Sequence, residues 1–277
     1  VQCASSWGAA GDEAGRQPTD PLLQAAAARL SRLPDGALAA VVTFQGSSCP
    51  VTRGHVACIV GARELLLGRR HRGEPWVPPD LKRFAEVVGF MGCNADRYVQ
   101  RKLAPSPAIS QKDRMCLVDF ATSEHEWLQS HSWVWGVADA PREAFPNLAL
   151  KHFIVDGADA ALWTKPWREI GDRQLCIIVE RPATPGKDDG TNALRSAIEA
   201  DWGVYRSTAH CIFWRELPAI SATAARKALT EGDREACEEL LHPDLFDWAV
   251  RHGPYKTAPH LRAYSRPSQS VSRRIGA

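Results

Sequence analysis

LALKHFIVDGADAALWTKPWREIGDRQLCIIVE (residues 148–180) is the stretch on which the fold turns. It holds three apolar runs, Leu148–Val155, Ala160–Thr164 and Gln174–Glu180, each of strand length. Read as strands, they are joined by links too short for crossover helices, so they form an antiparallel meander. Asp156-Gly157 is a strong hairpin signal. Asp156 and Asp159, flanking Gly157, therefore read as a turn rather than as a catalytic carboxylate pair.

The same pattern extends upstream and downstream. Leu38–Phe44, His55–Val60, Glu64–Leu67, Met115–Phe120, Ser132–Val137 and Thr208–Trp214 read as further strands. Asp20 caps a helix with Pro21 at its first position, and Leu23, Ala26, Ala27 and Leu30 make its apolar face. A second helix opens at Asp80, with Leu81, Phe84, Ala85 and Val88 on one face and Gly92 as its stop. Asn94 to Leu103 is a third helix, Ser123 and Glu126 have capping-box spacing, and Asn192–Ala200 is another helix. The C-terminal third is helical over Ala222–Leu229, Asp233–Leu241 and Asp244–His252, closed by Gly253. The fold class expected is α+β: a mostly antiparallel sheet flanked by helices. An extended polar arm over 1–18 and a tail over 254–277 flank one globular domain over 19–253, with sub-boundaries possible near 104–113 or 182–190.

Composition narrows the function classes. The chain has 277 residues, 44% hydrophobic and 24% charged, which is ordinary globular usage. A net charge of +2 argues against the strong basic footprint of a nucleic-acid binder. No stretch approaches the ~20 apolar residues of a membrane span. Arg outnumbers Lys 26 to 8, which favours bidentate ion pairs at interfaces. The eight cysteines are irregularly spaced, and Cys58, Cys116, Cys176 and Cys211 lie inside apolar runs, so a reducing compartment is expected. Residue 1 is Val, so a processed or partial chain is expected.

Few residues offer chemistry. Cys49, His55 and Cys58 are grouped, with His125 and His131 elsewhere, but their spacing departs from structural zinc sites, so no metal is expected. Cys49 follows Gly46-Ser47-Ser48 at a strand end and is a candidate nucleophile, with His55, His125 or His152 as its base. Gly186–Thr191 precedes a helix, but two Asp inside it would repel phosphate, so it is rejected as a phosphate loop. Arg69, Arg70, His71, Arg72 and Trp76, with Arg262, Arg266, Arg273 and Arg274 in the tail, mix base and aromatic as single-strand binders do. Ten Trp residues is a high count for 277. Most are expected in the core, but several sit beside charges, such as Trp167 by Arg168 and Trp214 by Arg215, and Trp with Arg is enriched at interface hot spots. Trp7, Arg69, Arg70, Arg72, Trp76, Arg266, Arg273 and Arg274 are the expected partner contacts.

Polar arms stay ordered only when something holds them. The leading expectation is therefore a non-catalytic accessory subunit of a large assembly, bound to other protein subunits and without a cofactor. Its setting is expected to be the mitochondrial matrix side, otherwise the cytoplasm, in a respiratory-chain or ATP-synthase complex rather than an organellar ribosome. The alternatives are a small-molecule enzyme with a Cys/His site near Cys49 and His55, and an RNA-binding module using the 69–76 loop.

Overall fold

The computed structural model describes residues 21–69, 83–132, 134, 136–168, 171, 174–179, 194, 196–198, 200–201, 211–214 and 220–254. Its centre is a six-stranded sheet whose neighbouring strands are all parallel. The strands are β1 (Leu38–Gly46), β2 (Glu86–Cys93), β3 (Leu128–Ser130), β4 (Ala149–Gly157), β5 (Gln174–Val179) and β6 (Cys211–Trp214). Their spatial order is 3-2-1-4-5-6. This is the doubly wound arrangement: the chain works outward from β1 in one direction and then from β4 in the other.

The antiparallel meander is thus corrected. The decisive misreading is Ala160–Thr164, which belongs to helix α6 (Ala158–Thr164) rather than to a strand. With that run helical, the chain from β4 to β5 is a crossover carrying α6 and a 3-10 turn (Pro166–Arg168), long enough to return to the same edge of the sheet. Two other runs change identity. His55–Val60 and Glu64–Leu66 belong to α2 (Arg53–Leu66), with Leu67 as its C-cap, and Met115–Phe120 belongs to α4 (Gln111–Thr122). Conversely, Val88 and Gly92 lie in β2, not in a helix, while Asp80 and Leu81 fall outside the described residues. Ser123 and Glu126 fall in a turn, and the strand there is β3 rather than Ser132–Val137, whose Trp133 and Trp135 are not among the described residues.

The physical cause is burial on both faces. Parallel strands covered by helices read as continuous apolar runs, and so do helices sunk between sheet and neighbours. Along β1, Ala40, Val42 and Phe44 enter one core while Ala39 and Val41 enter the other; along β2, Val87 and Met91 divide from Val88 and Phe90 in the same way. The first core is roofed by α2, α4 and the C-terminal helices α7 (Ala222–Glu231), α8 (Arg234–Leu240) and α9 (Pro243–Arg251). The second lies under α1 (Pro21–Leu30) and α5 (Asp139–Ala144), while α3 (Asp96–Leu103), after β2, adds Val99 to the first core. A third cluster joins Ala161 and Trp167 to Cys176 and Ile178 of β5.

Gly89 in β2 is required by close packing. A Cβ there would sit 2.6 Å from the Trp127 ring, over which the Arg63 guanidinium lies at 4.8 Å from the centroid. Gly89→Ala is expected to cost about 1–3 kcal/mol, read as a lowered urea midpoint with an unchanged denaturant slope; an unchanged midpoint would show that Trp127 yields freely.

Candidate functional site

A cleft of about 720 Å³ opens at the carboxyl ends of β1 and β4, where the strand order reverses. Open α/β sheets bind ligands at this switch point, because the loops leaving adjacent strands diverge to opposite faces. The alternative of a small-molecule site near Cys49 and His55 falls in this cleft, but the sequence strand assignments, holding no parallel sheet, contained no switch point.

Two helices aim their N-termini into the cleft. Thr52 is the N-cap of α2, and His55 completes a capping box in the position Glu or Gln usually takes. The backbone N–H of Thr52 donates to His55 Nδ1 at 2.9 Å. A backbone amide can only donate, so Nδ1 accepts and the neutral ring carries its proton on Nε2. Phe44 packs edge-on against the ring, centroids 5.9 Å apart, and holds its plane. Ser221 caps α7 by accepting from the N–H of Ala224, and Arg226 lies one turn on. Its Nη1 donates to the Cys49 carbonyl at 3.0 Å and its Nη2 to Thr223 Oγ1 at 2.9 Å, leaving further N–H groups of the fork for a ligand.

Gly54 makes this convergence possible. A Cβ at Gly54 would lie 3.1 Å from both the Cβ and the carbonyl oxygen of Ile220, the residue just before the α7 cap. The two helix starts therefore meet at a contact only glycine admits without displacement. The first amides of each helix, Arg53 and Gly54 in α2 and Ala222 and Thr223 in α7, have no intrahelical acceptor. Lys102 and Tyr98 of α3 form the β2-side wall; Asp156, Asp159, Ala160, Trp163 and Thr164 form the β4-side wall.

The loop after β1 is braced from beneath. Arg114 of α4 is fully buried. It donates to the carbonyls of Ser47 (2.8 Å), Asn94 (2.8 Å) and Ile109 (3.0 Å) and to Asp96 Oδ1 (2.9 Å). One side chain thus ties together the segments leaving β1 and β2. Ser48 in that loop has a left-handed backbone, φ 45°. His152, a candidate base in the sequence, does not line the cleft; it is buried, and its Nε2 meets Oγ1 of the lining residue Thr43 at 2.8 Å, while burial, with Arg142 adding to it, lowers its pKa to about 4. Burial pushes the Asp156 carboxyl up to about 6, against the hydroxyl of Thr164, which donates to it at 3.1 Å. Asp156-Gly157 is a strand-to-helix junction, not a hairpin turn.

Of the residues singled out in the sequence, Cys49, His55, Cys58, Asp156 and Asp159 line this one cleft. Cys49 is buried, and its Sγ accepts from the Ile109 N–H at 3.3 Å. His125 packs near Trp127 and His131 near Phe90, and neither lines the cleft. Arg69 pairs with Glu64 at 3.2 Å beyond the C-terminal end of α2, the end away from the cleft. Trp7, Arg70, Arg72, Trp76, Arg266, Arg273 and Arg274 lie outside the described residues, as do the arm over 1–18 and all but residue 254 of the tail. Among the described residues, no helix is long and apolar enough to cross a membrane. Sequence reasoning missed Thr52, Gly54, Thr223 and Arg226. The usable signal was local: an apolar strand ending in Gly-Ser-Ser, then a Thr cap and a helix.

The fold defines a doubly wound parallel α/β protein with a cleft at the switch point. No family model and no curated protein matches the chain. Two solved structures of nicotinic acid mononucleotide adenylyltransferase from Plasmodium falciparum are similar to it. The one complexed with NaAD has 14% identity and a TM-score of 0.44, and the one complexed with APC has 15% and 0.43; each comparison covers 79% of this chain and 98% of the other. Both are small-molecule enzymes by name, and at this distance the likeness assigns no activity here. The expectation of a non-catalytic accessory subunit is nevertheless corrected: a preformed cleft with convergent polar groups is what a small-molecule enzyme has and a scaffold does not need. The ordered arms that suggested partners are not among the described residues.

Proposed function

We propose that this protein is an enzyme acting on a phosphorylated small molecule of the nucleotide class, and that it transfers a phosphoryl or nucleotidyl group. The observation that carries the reading is the meeting of two helix N-termini, α2 and α7, in one cleft at the switch point. Each presents unshared amides and a partial positive charge, the pairing that suits phosphate. Arg226 and Lys102 supply full charge, and His55 supplies an Nε2–H donor of fixed direction. Such donors stabilise the charge that develops around phosphorus as a bond to it breaks, so catalysis here is positioning and electrostatics. Adenylyl transfer, which the names of the two similar structures carry, falls within this class. His55 acts in this reading as a donor, not as a base for Cys49, whose sulfur is buried and already engaged.

Calorimetric titration with ATP and with inorganic tripolyphosphate tests the site. Both are expected to bind, more weakly as salt rises. His55→Ala and Arg226→Ala are each expected to weaken binding about tenfold or more, as loss of a charge-assisted hydrogen bond does. Failure of both anions to bind, or full affinity in both variants, would overturn the reading.

A further inference from the structure

Trp163 is 89% exposed although it lines the cleft. Only it and Tyr98, at 46%, are exposed large hydrophobic residues among those described, and both line this same cavity. An indole presents a large apolar face, and leaving it in water forgoes a correspondingly large burial. In α6 the exposure is not forced by a shortage of core. Ala161 is fully buried in the third cluster, Leu162 packs against it, and Trp167, three residues after the helix, is buried there too. The opposite stripe of α6, Asp159, Ala160, Trp163 and Thr164, faces the cleft. These positions are spaced i, i+1, i+4 and i+5, two i,i+4 pairs on one side of the helix. The chain thus places a Trp where packing asks for a polar residue.

Location supplies the occupant. α6 leaves the end of β4, which pairs with β1, and β1 leads through its loop to the N-terminus of α2. Adjacent strands lie about 4.8 Å apart, so the Trp163 face borders the space next to the proposed phosphate position. From this placement we infer that Trp163 is the ring-contact residue of the cleft: the planar base of a nucleotide stacks on its indole while the phosphates sit between α2 and α7. Trp163 is then a specificity-determining residue that separates ring-bearing phosphate esters from bare polyphosphate. The inference rests on the reading of the cleft as a phosphate site.

The test uses the full chain and two probes, ATP and inorganic tripolyphosphate, titrated into the wild type, Trp163→Ala and Trp163→Phe. Because the ring is solvent-exposed, both variants are expected to fold as the wild type does. Trp163→Ala is expected to weaken ATP about tenfold, the scale of one lost base–aromatic stack, and to leave tripolyphosphate unchanged. Trp163→Phe is expected to keep most of the ATP affinity. Unaltered ATP affinity in Trp163→Ala, or an equal loss for both probes, overturns the stacking role while leaving the phosphate site standing. A wild type that binds neither probe overturns the site and this inference with it.

Discussion

Arg114→Met is expected to be among the most damaging single changes in this protein, lowering stability by about 3–5 kcal/mol. Methionine has similar reach and fills much of the space, so the loss isolates the polar contacts from any cavity. Three backbone carbonyls, of Ser47, Asn94 and Ile109, lose their donor, and Asp96 loses its cation. Each buried acceptor left without a partner costs about 1–3 kcal/mol. Chemical denaturation gives the number directly. Arg114→Lys separates charge from geometry: one ammonium cannot span three diverging acceptors as the planar fork does, so it is expected to recover only part of the loss. Because the Ser47 and Asn94 segments frame the cleft, ATP affinity should fall in Arg114→Lys even where the protein is fully folded. A lysine variant with native stability and native affinity would show that the fork is dispensable.

Asp156→Asn is expected to raise stability at neutral pH by up to about 3 kcal/mol and to expose an acid sensitivity that the wild type hides. Two buried groups oppose one another. The folded protein keeps His152 neutral until about pH 4, whereas the unfolded chain protonates near 6.5. Its contribution to stability is therefore complete above 6.5 and drains away as pH falls from 6.5 to 4. Asp156 runs the other way. Its folded carboxyl holds a proton up to about pH 6, while the unfolded one releases it near 3.8. Its contribution is complete below 3.8 and is lost as pH rises to 6. Between about pH 4 and 6 the two slopes nearly cancel, so stability there should be flat in the wild type. Asp156→Asn removes one arm, and stability should then climb steeply with pH across that window; His152→Gln should give the opposite slope. Urea midpoints at several pH values decide it, and parallel profiles in all three proteins would contradict the account. A carboxylate that costs stability at neutral pH, on a cleft wall, is also what function imposes on a fold.

Several elements were legible in the chain. The helix opening at Pro21, the β1, β4 and β5 runs, a helix within 94–103 and the three C-terminal helices lie where local pattern puts them, the last three because Ser221, Asp233 and His242 cap them. The errors cluster where burial is two-sided. In α2, Val56, Ile59, Ala62, Leu65 and Leu66 are all buried, with Cys58 between them, so the run looks as apolar as a strand. Phe84, Ala85 and Val88 match a helical spacing by chance: Val88 lies in the buried part of β2, while Phe84 and Ala85 precede the strand and Ala85 is exposed.

The amino-acid sequence by itself determined the approximate bounds of β1, β4, β5 and the C-terminal helices, and that Cys49 and His55 follow the end of a strand. Only the tertiary structure decided that the strands run parallel and that residues near 50, 100, 160 and 225 share one cleft. The reason is physical: hydrophobic periodicity reports how a segment is buried, not against what. The contact between Gly54 and Ile220, on which the proposed site depends, exists only once sheet and helices have packed.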